Sequence, residues 1–131
     1  MFKKILLPVD LGELEMARRA ITEAVSLAKA SSAELRLITV PALVPVAVEH
    51  GPVDAKEKIA DLAAKIDYPQ ERVSTAVRIG SAYHESLTEA ADWGADLIVL
   101  CSHRPTMSTY LLGSTAAKIV RYAKCSVLVL R

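Results

Sequence analysis

The residues of this chain best suited to chemistry lie in one run, Cys101-Ser102-His103-Arg104-Pro105-Thr106-Met107-Ser108-Thr109-Tyr110-Leu111-Leu112-Gly113-Ser114-Thr115. Small and hydroxylated side chains crowd there around Arg104 and Gly113. Gly113-Ser114-Thr115 stands where a helix should open, and a helix N-terminus offers unpaired N–H groups and a partial positive charge to an anion. Glycine lets the backbone come close to a phosphate, Ser114 or Thr115 adds a hydroxyl, and Arg104 can add a charge-assisted contact. The same residues also describe an ordinary capped helix behind a polar loop, with Arg104 a solvated loop charge. His103 could serve as a base or as a phosphate donor, but the sequence places no carboxylate to orient it, so no catalytic residue is assigned. His50 and His84 have no Cys or His at ligand spacing and read as surface residues, so no metal site is expected.

Such residues need a scaffold, and the rest of the chain alternates regularly. Lys4-Ile5-Leu6-Leu7-Pro8-Val9 is a short apolar run of the kind buried on both faces of a sheet. Leu14, Ala17, Ile21, Ala24, Val25 and Ala28 then fall on one side of a helix, leaving Glu13, Glu15, Arg18 and Arg19 for solvent. Glu34–Val40 reads as a second strand. Pro41 to Pro52 holds three of the six prolines and reads as a loop or lid. Asp54 is placed to cap a helix with Ile59, Leu62, Ala63 and Ile66 inside. Arg72–Gly80 suggests a third strand. Ser81 caps the next helix, which runs to about Asp92 and stops at Gly94. Asp96–Cys101 is a fourth strand. A helix with Ala116, Ile119, Val120 and Ala123 on its core face precedes a last strand, Ser126–Leu130.

The order βαβαβαβαβ predicts an α/β fold: one doubly wound, five-stranded parallel sheet with helices on both faces, forming a single domain over residues 1–131. In such sheets ligands bind beyond the carboxyl ends of the strands, where the winding reverses. With the strand order 3-2-1-4-5, that crevice lies between strands one and four. It receives Pro8, Val9 and Asp10 from strand one and Cys101 through Arg104 from strand four, with Thr39 and Val40 as a neighbouring wall. Asp10 reads as the one acidic group there, holding a ligand or capping the first helix.

Composition narrows the function. The chain has 131 residues, of which 52% are hydrophobic and 24% charged, and a mean hydropathy of +0.29, which excludes disorder. A net charge of +1 gives no general pull toward nucleic acid or anionic membranes. No apolar run reaches the roughly 18 to 20 residues of a membrane span. Asp10 cuts short the apolar run after Lys3-Lys4, so no signal peptide is expected. Cys101 and Cys125 form no CxxC and read as buried free thiols of a cytoplasmic protein. A receiver domain would need an Asp at the end of strand three, where Arg78-Ile79-Gly80 stands. The glycine motifs of dinucleotide and P-loop proteins are missing, as is the G-x-S-x-G elbow of hydrolases.

Along essentially its whole length the sequence resembles the universal stress protein family. The resemblance rests on Lys4–Asp10, Ala95–Leu100, Leu111–Ala116 and Cys125–Arg131. Nucleotide-binding members carry G-x2-G-x9-G-[ST] after strand four. Here Cys101 and Arg104 occupy the first two glycine positions and eight residues separate Arg104 from Gly113, so the loop is one residue short. Ser102-His103-Arg104-Pro105 with Thr109–Ser114 looks like a short-loop subgroup whose members can bind ATP. The resemblance implies ATP, with or without Mg2+, as ligand. It puts the adenosine near Pro8, Val9, Asp10, Thr39, Val40 and Leu100, and the phosphates near Ser102, His103, Arg104, Gly113, Ser114 and Thr115. It also implies a homodimer through Val127, Leu128, Val129 and Leu130, since an apolar edge strand needs cover. The expected function is non-enzymatic: a stress-response protein that changes conformation or assembly with bound nucleotide. The alternative is a dimeric interaction module that has lost its nucleotide.

Overall fold

The computed structural model describes residues 1–41, 52–102 and 113–131. Among them are β1 (Lys4–Pro8), α1 (Leu14–Ser31), β2 (Glu34–Thr39), α2 (Pro52–Ala64), β3 (Val73–Val77), α3 (Ala82–Trp93), β4 (Leu97–Cys101), α4 (Ser114–Tyr122) and β5 (Ser126–Leu130). All strands pair in parallel, in the order β3-β2-β1-β4-β5 expected from the sequence.

Side-chain alternation divides the core in two. Ile5, Leu7, Leu35, Leu37, Leu97 and Val99 meet α1 and α2, whereas Leu6, Ile38, Ile98 and Leu100 meet α3 and α4. The buried face of α1 is mostly alanine (Ala17, Ala20, Ala24 and Ala28), which lets this helix lie close to the sheet. Its predicted stripe is too wide. Leu14, in the first turn, is 41% exposed and Val25 is half-buried, because both sit on the flank of that face. On α4, Val120 is likewise exposed and Ala123 lies just past the helix end, leaving Ala116 and Ile119 as the buried pair.

Other boundaries also shift. Pro52 opens α2, so Asp54 lies in the first turn rather than at the cap, where the helix dipole favours it and Lys58 pairs with it at 3.1 Å. A short 3-10 turn takes Gln70–Arg72, and β3 ends at Val77. Gly80, with φ of +138°, turns the chain into α3, a conformation side chains rarely adopt. Pro45 and His50, in the 42–51 stretch, lie outside the described residues, as does the lid or loop expected there.

The central pair is only partly zipped. β1 matches β2 along its whole length, from Lys4↔Glu34 to Pro8↔Ile38. Against β4 it matches only Ile5↔Leu97 and Leu6↔Ile98. The Val9 N–H donates to the Ile38 carbonyl at 2.8 Å, on the β2 side, so the preceding residue, Pro8, turns its nitrogen toward β4. That nitrogen carries no hydrogen. No ladder bond can form there, and no donor is orphaned.

A charge network holds α3 against the other end of the sheet. Glu89, only 8% exposed, receives Arg36 of β2 at 3.4 Å and Arg78 at 3.3 Å. Arg78 also reaches Asp92 at 3.0 Å and Glu85 at 3.6 Å. Desolvation works against the Arg78 charge, but the hydrogen bonds and attraction of Glu89 and Asp92 outweigh it and hold its pKa above the ordinary value.

The two cysteines are free and half-buried, not fully buried as expected. Burial raises the Cys125 thiol pKa above its ordinary 9.0, with a smaller push from Asp96 and an opposing backbone hydrogen bond. As pH climbs past 9.0, the unfolded thiol therefore loses its proton before the folded one, and stability falls. Urea unfolding between about pH 8 and 10.5 should show a smaller stability loss for Cys125→Ala than for the native protein. Equal slopes would refute this.

Candidate functional site

Where β1 and β4 part, a cavity of about 750 Å³ opens at the carboxyl ends of the strands. This is within the usual range for small-molecule sites, roughly 300 to 1,000 Å³. Its wall contains every described candidate from the sequence: Pro8, Val9 and Asp10, Thr39 and Val40, Leu100 and Ser102, and Gly113, Ser114 and Thr115. His103 and Arg104 lie outside the described residues. Cys101 lines the cavity as well, and its sulfur also receives an Arg19 guanidinium N–H at 3.7 Å.

Asp10 sits in a tight turn. One carboxylate oxygen accepts the Gly12 N–H at 2.9 Å, and a Cβ at Gly12 would come within 3.2 Å of that oxygen. The turn, not the helix, uses Asp10, because Glu13 is the residue at the N-cap of α1. Asp10 is also not the one acid of the crevice. Glu13 and Glu15, read from the sequence as solvent-facing, line the same cavity. The first turn of α1 runs along the rim, so residues opposite the core face still border the opening.

On the other side, Ser102 joins the end of β4 to the start of α4. Its backbone N–H donates to the Leu130 carbonyl at 2.7 Å, and its hydroxyl accepts the Gly113 N–H at 2.9 Å. Gly113 has φ of −58°. A Cβ there would make only ordinary contact, 3.5 Å from the Ser102 oxygen, so the fold by itself does not demand glycine. The first intrahelical bond runs from the Ala117 N–H to the Gly113 carbonyl, leaving the amides of Ser114, Thr115 and Ala116 without helical partners beside the cavity. Among the described residues no side chain caps them.

Sequence reasoning missed the helical parts of the wall: Met16, Ala17 and Ala20 on α1, Ala82 and Ser86 on α3, and Ile119 on α4. Apolar periodicity marks such residues as core without saying which end of the core stays open. Among the described residues no group of three His, Cys, Asp or Glu side chains could hold a metal ion, and no helix is long and apolar enough to cross a membrane.

The universal stress protein family matches this chain over residues 1–131. Universal stress protein G of Shigella flexneri is 34% identical over the full length of both chains. Among solved structures, a universal stress protein in complex with cAMP superposes with a TM-score of 0.74 at 19% identity, covering 99% of this chain and 97% of the other. The Archaeoglobus fulgidus universal stress protein in complex with dAMP gives 0.68 at 17% identity, covering 98% of each chain. At these identities the two structures establish the shared fold.

The Ser102 hydroxyl carries a prediction of its own. Ser102→Ala should cost about 1 kcal/mol in urea unfolding, the usual worth of one such bond, and speed amide exchange at Ala117. Unchanged exchange at Ala117 would show that the start of α4 is held by something else.

Proposed function

We propose that this chain, which belongs to the universal stress protein family, binds an adenine nucleotide, ATP first among them, where β1 and β4 part. The observation that carries this reading is a convergence. Asp10 with the Thr39–Val40 wall, and the unpartnered amides of Ser114, Thr115 and Ala116, border one cavity of nucleotide size. The amides, aided by Arg104 and His103, would receive phosphate oxygens, as helix N-termini do. Pro8, Val9, Val40 and Leu100 offer apolar contact to the adenosine. Magnesium would arrive on the triphosphate. Relatives of the same fold in complex with cAMP and dAMP support the ligand class. The protein acts as a nucleotide-responsive stress protein rather than an enzyme, in the cytoplasm, where its unpaired thiols stay reduced.

Cys101 and Arg104, where nucleotide-binding relatives carry glycine, favour the second reading of an interaction module without nucleotide. Isothermal titration with Mg-ATP, ADP and AMP decides between them. Heat that saturates, with competition among the three, is the expected result; none leaves the second reading standing. Arg104→Ala should weaken ATP by about 1.5 to 3 kcal/mol and leave adenosine nearly unchanged. Equal loss for both would mean that Arg104 supports the loop instead.

A homodimer through β5 belongs to the same proposal. β5 is the edge of the sheet, and Val127, Leu128, Val129 and Leu130 are all half-buried. Leu128 and Leu130 pack on the α1/α2 side and Val127 and Val129 on the other, so the free feature of this edge is its backbone. Leu128→Lys would damage the core and is a poor probe. Sedimentation equilibrium of the native protein at tens of micromolar should give a dimer; a monomer overturns the proposal.

A further inference from the structure

We propose that the Ser86 hydroxyl pairs with the polar edge of the nucleobase and so sets base affinity from the α3 side of the cavity; this inference rests on the nucleotide reading above. Ser86 is 2% exposed and lines the cavity. Hydroxyls inside helices usually bond back to the carbonyl four residues earlier. Thr22 and Thr88 do so here, each at 2.9 Å, to Arg18 and His84. Ser86 does not, and among the described residues its hydroxyl has no hydrogen-bond partner. No fully enclosed side-chain oxygen or nitrogen among them lacks a partner, so this oxygen must keep its remaining surface toward the cavity.

Its surroundings select the ligand part. Ile38, Leu100, Ala116 and Ile119 line the same cavity and belong to the apolar cluster under α3 and α4, as does Ala90, one turn beyond Ser86. Ala82, one turn before, adds only a methyl. These side chains offer a phosphate no cation and, Ser86 apart, no polar group. A purine offers apolar faces to the aliphatic wall and a hydrogen-bonding edge to one hydroxyl, which can donate or accept. The hydroxyl is also well placed to stay put. Glu89, three residues on, is gripped by Arg36 and Arg78, which fixes the rotation of α3 about its axis.

The test compares the dissociation constants of ATP and AMP for the native protein and Ser86→Ala by isothermal titration. Alanine is the better helix former, so the variant should fold with an unchanged ligand-free melting temperature. Both nucleotides should weaken by the same factor, about 5 to 10. Affinities within twofold of native would show that serine merely fits the space, and loss confined to ATP would put Ser86 at the phosphates; either overturns the inference while leaving nucleotide binding intact. A native protein that binds neither ligand overturns the nucleotide reading, and this inference with it.

Discussion

Beyond Leu6 and Ile98 the two central strands stop pairing, and the proline that ends β1 takes away the N–H that would otherwise bridge them. A parallel sheet normally satisfies every interior backbone group by pairing, so an opening inside it leaves unpaired groups to be satisfied some other way. Pro8 lowers that cost on one wall by having nothing to donate. On the other wall the Ser102 N–H turns to the Leu130 carbonyl of the outer strand. The crevice is thus a place where the ladder ends with few unmet demands. The candidate residues reach it because the strands carrying them end there.

Two anchors hold the helices around this gap. The Ser102 hydroxyl fixes the amide of Gly113 at the N-cap of α4, and Glu89 ties α3 to Arg36 of β2 and to Arg78 just past β3. The second anchor is a buried carboxylate answered by two guanidinium groups. Removing one partner from such an arrangement is expensive, because the remaining charge stays out of water. Its benefit here is orientational. A neutral apolar contact would keep α3 on the sheet yet permit it to roll.

The scaffold was legible because each element obeys one period. Ile5, Leu6 and Leu7 read as a two-sided strand and are fully buried, and Gly94 reads as a helix stop and is one, with φ of +82°. What failed were judgements about flanks and ends. Leu14 and Val120 match the apolar period yet sit at the border of their stripes, where a few degrees of helix rotation decide exposure. Asp54 is a good cap, but Pro52 has already begun the helix. The cavity wall was half legible. Strand ends could be placed from topology alone, whereas Glu13, Glu15 and Ser86 depend on where a helix passes the rim. One signal was available for Ser86. It lies four residues before Ala90 and three before Glu89, on the inward face of α3, where a serine without a role is an odd choice.

The short zip between β1 and β4 also orders events during synthesis. Lys3 and Lys4 donate their backbone N–H groups to Asp96, 93 and 92 residues later, and Ile5 pairs with Leu97. β1 and β2 can meet early through the α1 crossover, but the opposite side of β1 has no partner until β4 leaves the ribosome. At the usual 5 to 20 residues per second that interval is on the order of 5 to 20 s. Through it, the side of the strand that will border the cavity stands as an unprotected apolar margin on a half-built sheet. Distant pairings of this kind slow folding, since the loop must close before the contact can repay it. The nascent chain therefore spends longest in the state most open to wrong partners, and the last central contact to form is the one that completes the cavity.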